Sequence, residues 1–122
     1  MTKPYTTIII DDEAPARAGL KNLLSEFSET FHVIDTAQNA TEAQSKIEQL
    51  NPDIIFLDIE MPECSGFELL ERLQTLPIVV FCTAYDQYAL AAFETNSIDY
   101  LVKPVKAERI AKTVEKLKSF EN

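Results

Sequence analysis

Five strand-length apolar runs, each followed by a segment of helical periodicity, constrain this chain more than any other feature. The runs are TTIII (6 to 10), FHVID (31 to 35), DIIFL (53 to 57), IVVFC (78 to 82) and IDYLV (98 to 102), mostly β-branched or aromatic. Near-continuous apolar runs, in place of strict alternation, mark strands buried on both faces. Strands alternating with helices through short connections imply an α/β fold, a five-stranded parallel sheet with helices on both faces. Right-handed crossovers then leave few topologies, among them the flavodoxin-like order 2-1-3-4-5, whose switch point lies between strands 1 and 3.

The intervening helices carry their own signals. In the first, Ala16, Leu20, Leu23, Leu24 and Phe27 follow helical spacing, with Pro15 in the first turn, where its missing N–H costs nothing. Ala43, Ile47 and Leu50 form the inward face of the second. Ser65 and Glu68 make a capping box ahead of Leu69, Leu70 and Leu73. A fourth helix is expected from Asp86 to Thr95, ending at Asn96, a residue that tolerates the left-handed conformation. The fifth directs Ile110, Val114 and Leu117 inward and carries Lys112, Lys116 and Lys118 toward its C-terminus, where they suit the helix dipole.

Composition excludes several functions. The net charge of −9 argues against this domain gripping nucleic acid, since phosphate binding relies on lysine and arginine. Cys64 and Cys82 have neither metal-ligand nor disulfide spacing; Cys82 reads as a core residue and Cys64 as an exposed loop residue. No apolar run is long enough to cross a bilayer, and the opening MTKPYTT lacks the marks of a secretory signal, so no membrane association and a cytoplasmic location are expected.

Chemistry gathers where the strands end. Strand 1 delivers Asp11, Asp12 and Glu13, strand 3 Asp58, strand 4 Thr83 and strand 5 Lys103 followed by Pro104. Taken singly, Asp11 and Asp12 would serve to cap the next helix and Lys103 would be solvated. Jointly they converge on one crevice in the expected topology. Asp11, Asp12 and Asp58 against Lys103 leave a net charge of −2, which one divalent cation neutralises. Hard oxygen ligands suit Mg²⁺, whereas zinc would want His or Cys, and the single histidine, His32, starts strand 2, away from this edge. Such a site fits phosphoryl transfer, with Asp58 as nucleophile and Thr83 and Lys103 each taking a phosphoryl oxygen.

Along its full length the chain resembles the receiver domain of bacterial two-component response regulators, through IIIDDE, FLDIEMPECSGFELL, VVFCTAYD and DYLVKP. The resemblance implies Asp58 as phosphoacceptor and a sensor histidine kinase as phosphoryl donor. It implies Asp12, Asp58 and the Glu60 backbone carbonyl as Mg²⁺ ligands, with Asp11 acting through water. Thr83 and Tyr100 fall on the family's switch positions, and a cis peptide bond is implied between Lys103 and Pro104. Glu60 and Tyr85 flank the phosphoryl group and are expected to tune its lifetime. The domain would act on itself alone, accepting the phosphoryl group and slowly hydrolysing it, and would not be an enzyme for an external substrate.

The run AYDQYALAAFETNSIDYLVKP is most similar to the LytTR class, which places residues 1–122 as a single receiver domain, the N-terminal part of a longer regulator of transcription whose separate output domain contacts DNA. In the expected switch, Thr83 moves to the phosphoryl group and Tyr100 rotates inward, repacking helix 4, strand 5 and helix 5. The apolar residues of helix 4 (Tyr88, Leu90, Ala91 and Phe93) suggest a homodimer through that face when phosphorylated. The alternative is a Mg²⁺-dependent aspartyl-phosphate hydrolase.

Overall fold

The computed structural model describes residues 3–121. Its elements alternate as read: β1 (Tyr5–Ile10), α1 (Ala14–Ser25), β2 (Phe31–Ala37), α2 (Ala40–Leu50), β3 (Ile54–Leu57), α3 (Gly66–Arg72), β4 (Ile78–Thr83), α4 (Ala89–Phe93), β5 (Asp99–Val102) and α5 (Ala107–Phe120). All strand pairs are parallel and the order is β2-β1-β3-β4-β5.

Strand periodicity divides the core into two layers, because successive side chains leave opposite faces of the sheet. Ile8, Ile10, Ile55, Leu57, Val79 and Phe81 pack under α2, α3 and α4 through Ala43, Ile47, Leu69, Leu70 and Ala92. Ile9, Ile54, Phe56, Val80, Cys82 and Leu101 pack under α1 and α5 through Leu20, Leu24, Ile110, Val114 and Leu117. Central β3 has all four of its residues buried, as the apolar run before Asp58 requires.

Local stops explain the helix ends. Asn39 accepts a hydrogen bond from the Glu42 amide to start α2, and Asn51 ends that helix at φ 51°. Both hydrogen bonds of the Ser65–Glu68 capping box are present at α3, and Asn96 has φ 64° as its position suggested.

Four expectations are corrected. Cys64 is buried, not exposed: the loop after β3 reverses at Glu63 (φ 71°) and turns the thiol into the core layer beneath α3. Leu50 is exposed, because α2 ends there and Ala40, Ala43 and Ile47 already fill its inward face. Helix α4 is a single short segment, Ala89–Phe93; Tyr88 stands at its N-cap without a side-chain cap, and residues 86–88 form a turn. Lys116 does more than complement a dipole. Its ammonium lies 2.9 Å from the buried carboxylate of Asp99, which also binds Arg109 and Thr113 and so ties β5 to α5.

Candidate functional site

Backbone hydrogen bonds carry the sheet's order one residue beyond the strands, which fixes the residues that follow them. The Asp11 amide donates to the Ala37 carbonyl, the Asp58 amide to the Ile10 carbonyl and the Lys103 amide to the Thr83 carbonyl. Asp11 and Asp58 therefore emerge from the adjacent strands β1 and β3 at the switch point, where such sheets bind ligands, and Lys103 follows β5, beyond β4 on the same sheet edge. Carboxylate oxygens of Asp11, Asp12 and Asp58 lie within 4.8 Å of one another, with Asp11 and Asp58 buried and Asp12 exposed.

Lys103 answers part of this charge. Its ammonium lies 2.6 Å from Asp11 Oδ2 and 3.4 Å from Asp58 Oδ2. Burial alone would lower the lysine's pKa, but the hydrogen bond to Asp11 and the charges of Asp58 and Asp11 outweigh it and raise the pKa, holding Lys103 as a cation. Asp58 shifts upward because its burial outweighs the attraction of Lys103, with the charge of Asp11 adding to the rise. The same burial pushes the Cys82 thiol up to about 12, leaving it inert in the core.

Asp11 has little left to offer a ligand. Its Oδ2 faces Lys103, its Oδ1 accepts from the Glu13 amide at 2.9 Å, and its carbonyl accepts from Arg17 at 2.7 Å. Neither Asp11 nor Asp12 caps α1, whose N-cap is Glu13 without a side-chain hydrogen bond, so the capping reading of these two acids fails. Asp58 differs. Among the described residues its Oδ1 is a buried side-chain oxygen with no hydrogen-bond partner. Buried polar atoms are rarely left so, and an unpaired carboxylate oxygen beside two further acids fits the coordination of a hard divalent cation.

Asp58 opens into a crevice of about 400 Å³ lined also by Asp12, Glu13, Glu60, Met61, Pro62, Ala84, Tyr85 and Lys103. Thr83 is fully buried at the end of β4, and its hydroxyl accepts from the Tyr85 amide at 3.4 Å. The half-buried Tyr100 ring packs on Phe81, and its hydroxyl reaches outward to the Tyr85 carbonyl. Glu60 lines the crevice, and its carboxylate accepts from the Tyr88 hydroxyl at 2.5 Å. His32 is exposed on β2, outside the group. The Lys103–Pro104 bond is cis.

A family model for the response regulator receiver domain matches residues 7–115. The chain belongs to that family. An uncharacterised response regulatory protein of Vibrio cholerae is 57% identical over 114 residues, covering 92% of this chain and 48% of that protein. The transcriptional regulatory protein BtsR of Salmonella typhi is 41% identical over 113 residues, 91% of this chain and 47% of its own. The chain thus spans about half the length of the curated relatives it matches. Among solved structures, the response regulatory domain of mrkE from Klebsiella pneumoniae superposes with a TM-score of 0.82 at 29% identity, covering 94% of this chain and 96% of that one. A CheX–CheY–BeF3–Mg²⁺ complex from Borrelia burgdorferi gives 0.78 at 27%, covering 98% and 91%. Like these, this receiver domain is a doubly wound sheet, and among its described residues no helix is long and apolar enough to cross a membrane.

Two parts of the receiver's site escaped the sequence reading. Gly66 opens α3 so close to β3 that a Cβ there would meet the Asp58 carbonyl oxygen at 2.5 Å; a glycine directly after the Ser65 cap was the available signal. Arg17, which holds the Asp11 carbonyl, is one helical turn into α1 on the side of the crevice and carried no motif of its own.

Proposed function

We propose that Asp58 accepts a phosphoryl group from the phosphohistidine of a sensor histidine kinase and that the domain switches conformation in response. The observation that carries this reading is the environment of Asp58: a buried carboxylate at the end of the central strand, with Lys103 beside one oxygen and no partner for the other. In the transfer, an Asp58 oxygen bonds to phosphorus as the bond to the donor's imidazole nitrogen breaks, and the electron pair leaves with the imidazole. Charge spreads over the equatorial oxygens, so positioned cations and donors accelerate the step. Lys103 supports one oxygen and the Thr83 hydroxyl, freed from the Tyr85 amide, a second. Small Ala84 keeps the approach open.

Asp12, Asp58 and the Glu60 carbonyl would hold Mg²⁺, with Asp11, whose oxygens are already engaged, acting through water. Bound there, the ion would neutralise the crevice and the incoming phosphoryl group. The domain acts on itself only, with slow hydrolysis of its own acyl phosphate. Its place is in the cytoplasm, as the receiver half of a LytTR-class regulator that reaches DNA through a separate output domain; the doubled length of its relatives and the transcriptional role named for one of them support this. Exposed Leu90 and Phe93 on α4 and exposed Val102 on β5 support a phosphorylation-driven homodimer through α4, β5 and α5.

Incubation with Mg²⁺ and a small acyl-phosphate donor should add one phosphate mass to the wild type and none to Asp58→Asn. Turnover of a phosphoester without accumulation would instead support the hydrolase, which the family membership disfavours.

A further inference from the structure

We propose that Tyr88 is a positioning residue for acyl-phosphate hydrolysis, acting through Glu60. This inference rests on Asp58 as the phosphoacceptor. Tyr88 lies 28 residues from Glu60, at the N-cap of α4, yet its hydroxyl donates to Glu60 Oε2 at 2.5 Å. The Tyr88 ring is itself held: it is half-buried against the core beneath α3, edge-on to Phe67 and to Tyr85 with centroids 6.3 and 6.2 Å away. Tyr85 in turn accepts the Tyr100 hydroxyl at its carbonyl, so the segment from Tyr85 to Tyr88 is tethered on both sides.

The bond draws the Glu60 side chain toward α4 as a strap from the loop after β3 to the turn before α4, along the crevice side lined by Ala84 and Tyr85. Hydrolysis requires a water in line with the bond to be broken, and therefore approaching through this mouth. The water oxygen bonds to phosphorus, the Asp58 oxygen leaves with the electron pair as carboxylate, and one water proton stays on the phosphate while the other passes to solvent. With the strap closed that approach is narrowed; with Tyr88 unable to donate, Glu60 swings free and water enters. The lifetime of the signal is thereby tied to the tyrosines of the β4–α4 segment.

Tyr88→Phe keeps the ring and its aromatic contacts and removes only the donor. With the whole chain labelled by an acyl-phosphate donor and the donor removed, dephosphorylation of Tyr88→Phe should run at least about threefold faster than wild type. Glu60→Ala should accelerate it similarly, and adding Tyr88→Phe to Glu60→Ala should change the rate little. An unchanged or slower rate in Tyr88→Phe overturns the proposal, as does an equal acceleration in the Glu60→Ala background, which a merely structural role would produce. Absence of label on Asp58 in the wild type itself would be failure of the phosphoacceptor reading, a different result.

Discussion

The backbone of Gly66 passes so close to Asp58 that a single added methyl group would stand 2.5 Å from the Asp58 carbonyl oxygen, with the Leu57 side chain 3.1 Å away. Alanine normally improves on glycine within a helix by about 1 kcal/mol. Here the sign should reverse, since the obstacle is backbone that cannot rotate aside. Gly66→Ala is expected to cost about 1–3 kcal/mol in urea unfolding and to slow labelling of Asp58, because relieving the clash moves the nucleophile. A variant as stable and as reactive as the parent would show that the loop yields.

Lys103 offers two readouts of opposite sign. Lys103→Met removes the positive charge 2.6 Å from Asp11 and 3.4 Å from Asp58, taking the crevice from a net −2 to −3. Mg²⁺ binding, followed by calorimetry, should tighten about fivefold to tenfold from this added negative charge. Labelling by an acyl-phosphate donor should fall about a hundredfold, through loss of a cation at a phosphoryl oxygen. Weaker Mg²⁺ binding in the variant would show that Lys103 organises the acids rather than competing for them.

These residues were legible in the sequence because each sits at the end of a strand or directly after it, and apolar runs locate strand ends well. Asp11, Asp58, Thr83 and Lys103 follow from local pattern plus one topological rule. Cys64 did not, since its burial depends on the reversal at Glu63, and nothing local demands a left-handed glutamate. The exposure of Leu50 follows from where α2 ends, which helical periodicity does not specify. The Tyr88–Glu60 and Asp99–Arg109 contacts depend on how separate elements dock, which spacing within one element does not encode.

Asp99 should govern acid stability. Its burial pushes the carboxyl up, but hydrogen bonds from Arg109, Thr113, Lys116 and the Tyr100 amide outweigh that and bring its pKa to about 2, from 3.8. A folded-state pKa below the unfolded one means the unfolded chain binds the proton more readily. The stabilisation is therefore complete above about pH 4 and is lost as pH falls toward 2. Asp99→Asn is expected to cost about 2 kcal/mol at pH 7, and the gap to wild type should close over that window in urea unfolding at stepped pH. A gap independent of pH would assign the loss to packing.

Asp58 runs the other way. Burial is the largest cause of its raised pKa, so its charged form costs stability wherever it is ionised, and the cost disappears as pH falls through the raised folded value to the ordinary carboxylate range. Asp58→Asn should therefore be more stable than wild type at pH 7 and lose that advantage in acid. Destabilisation at neutral pH would mean that the attraction of Lys103 exceeds the cost of burial.

Leu90 and Phe93 are 77% and 81% exposed on a helix of five residues, and Val102 is 43% exposed at the end of β5. Two large side chains so open gain little for the monomer, whereas covering them removes apolar area worth about 25 cal/mol per Å². The Tyr100 hydroxyl, bonded to the Tyr85 carbonyl at the edge of this face, gives phosphorylation a way to reshape it if the ring turns inward. Sedimentation of wild type treated with Mg²⁺ and an acyl-phosphate donor should show a doubled mass, and Leu90→Asp with Phe93→Asp should remain monomeric while still taking label. Since both side chains are solvent-exposed, the double variant should keep the parent's fold and crevice, so loss of doubling alone would locate the interface on α4. Doubling that persists in the variant would move it to another face.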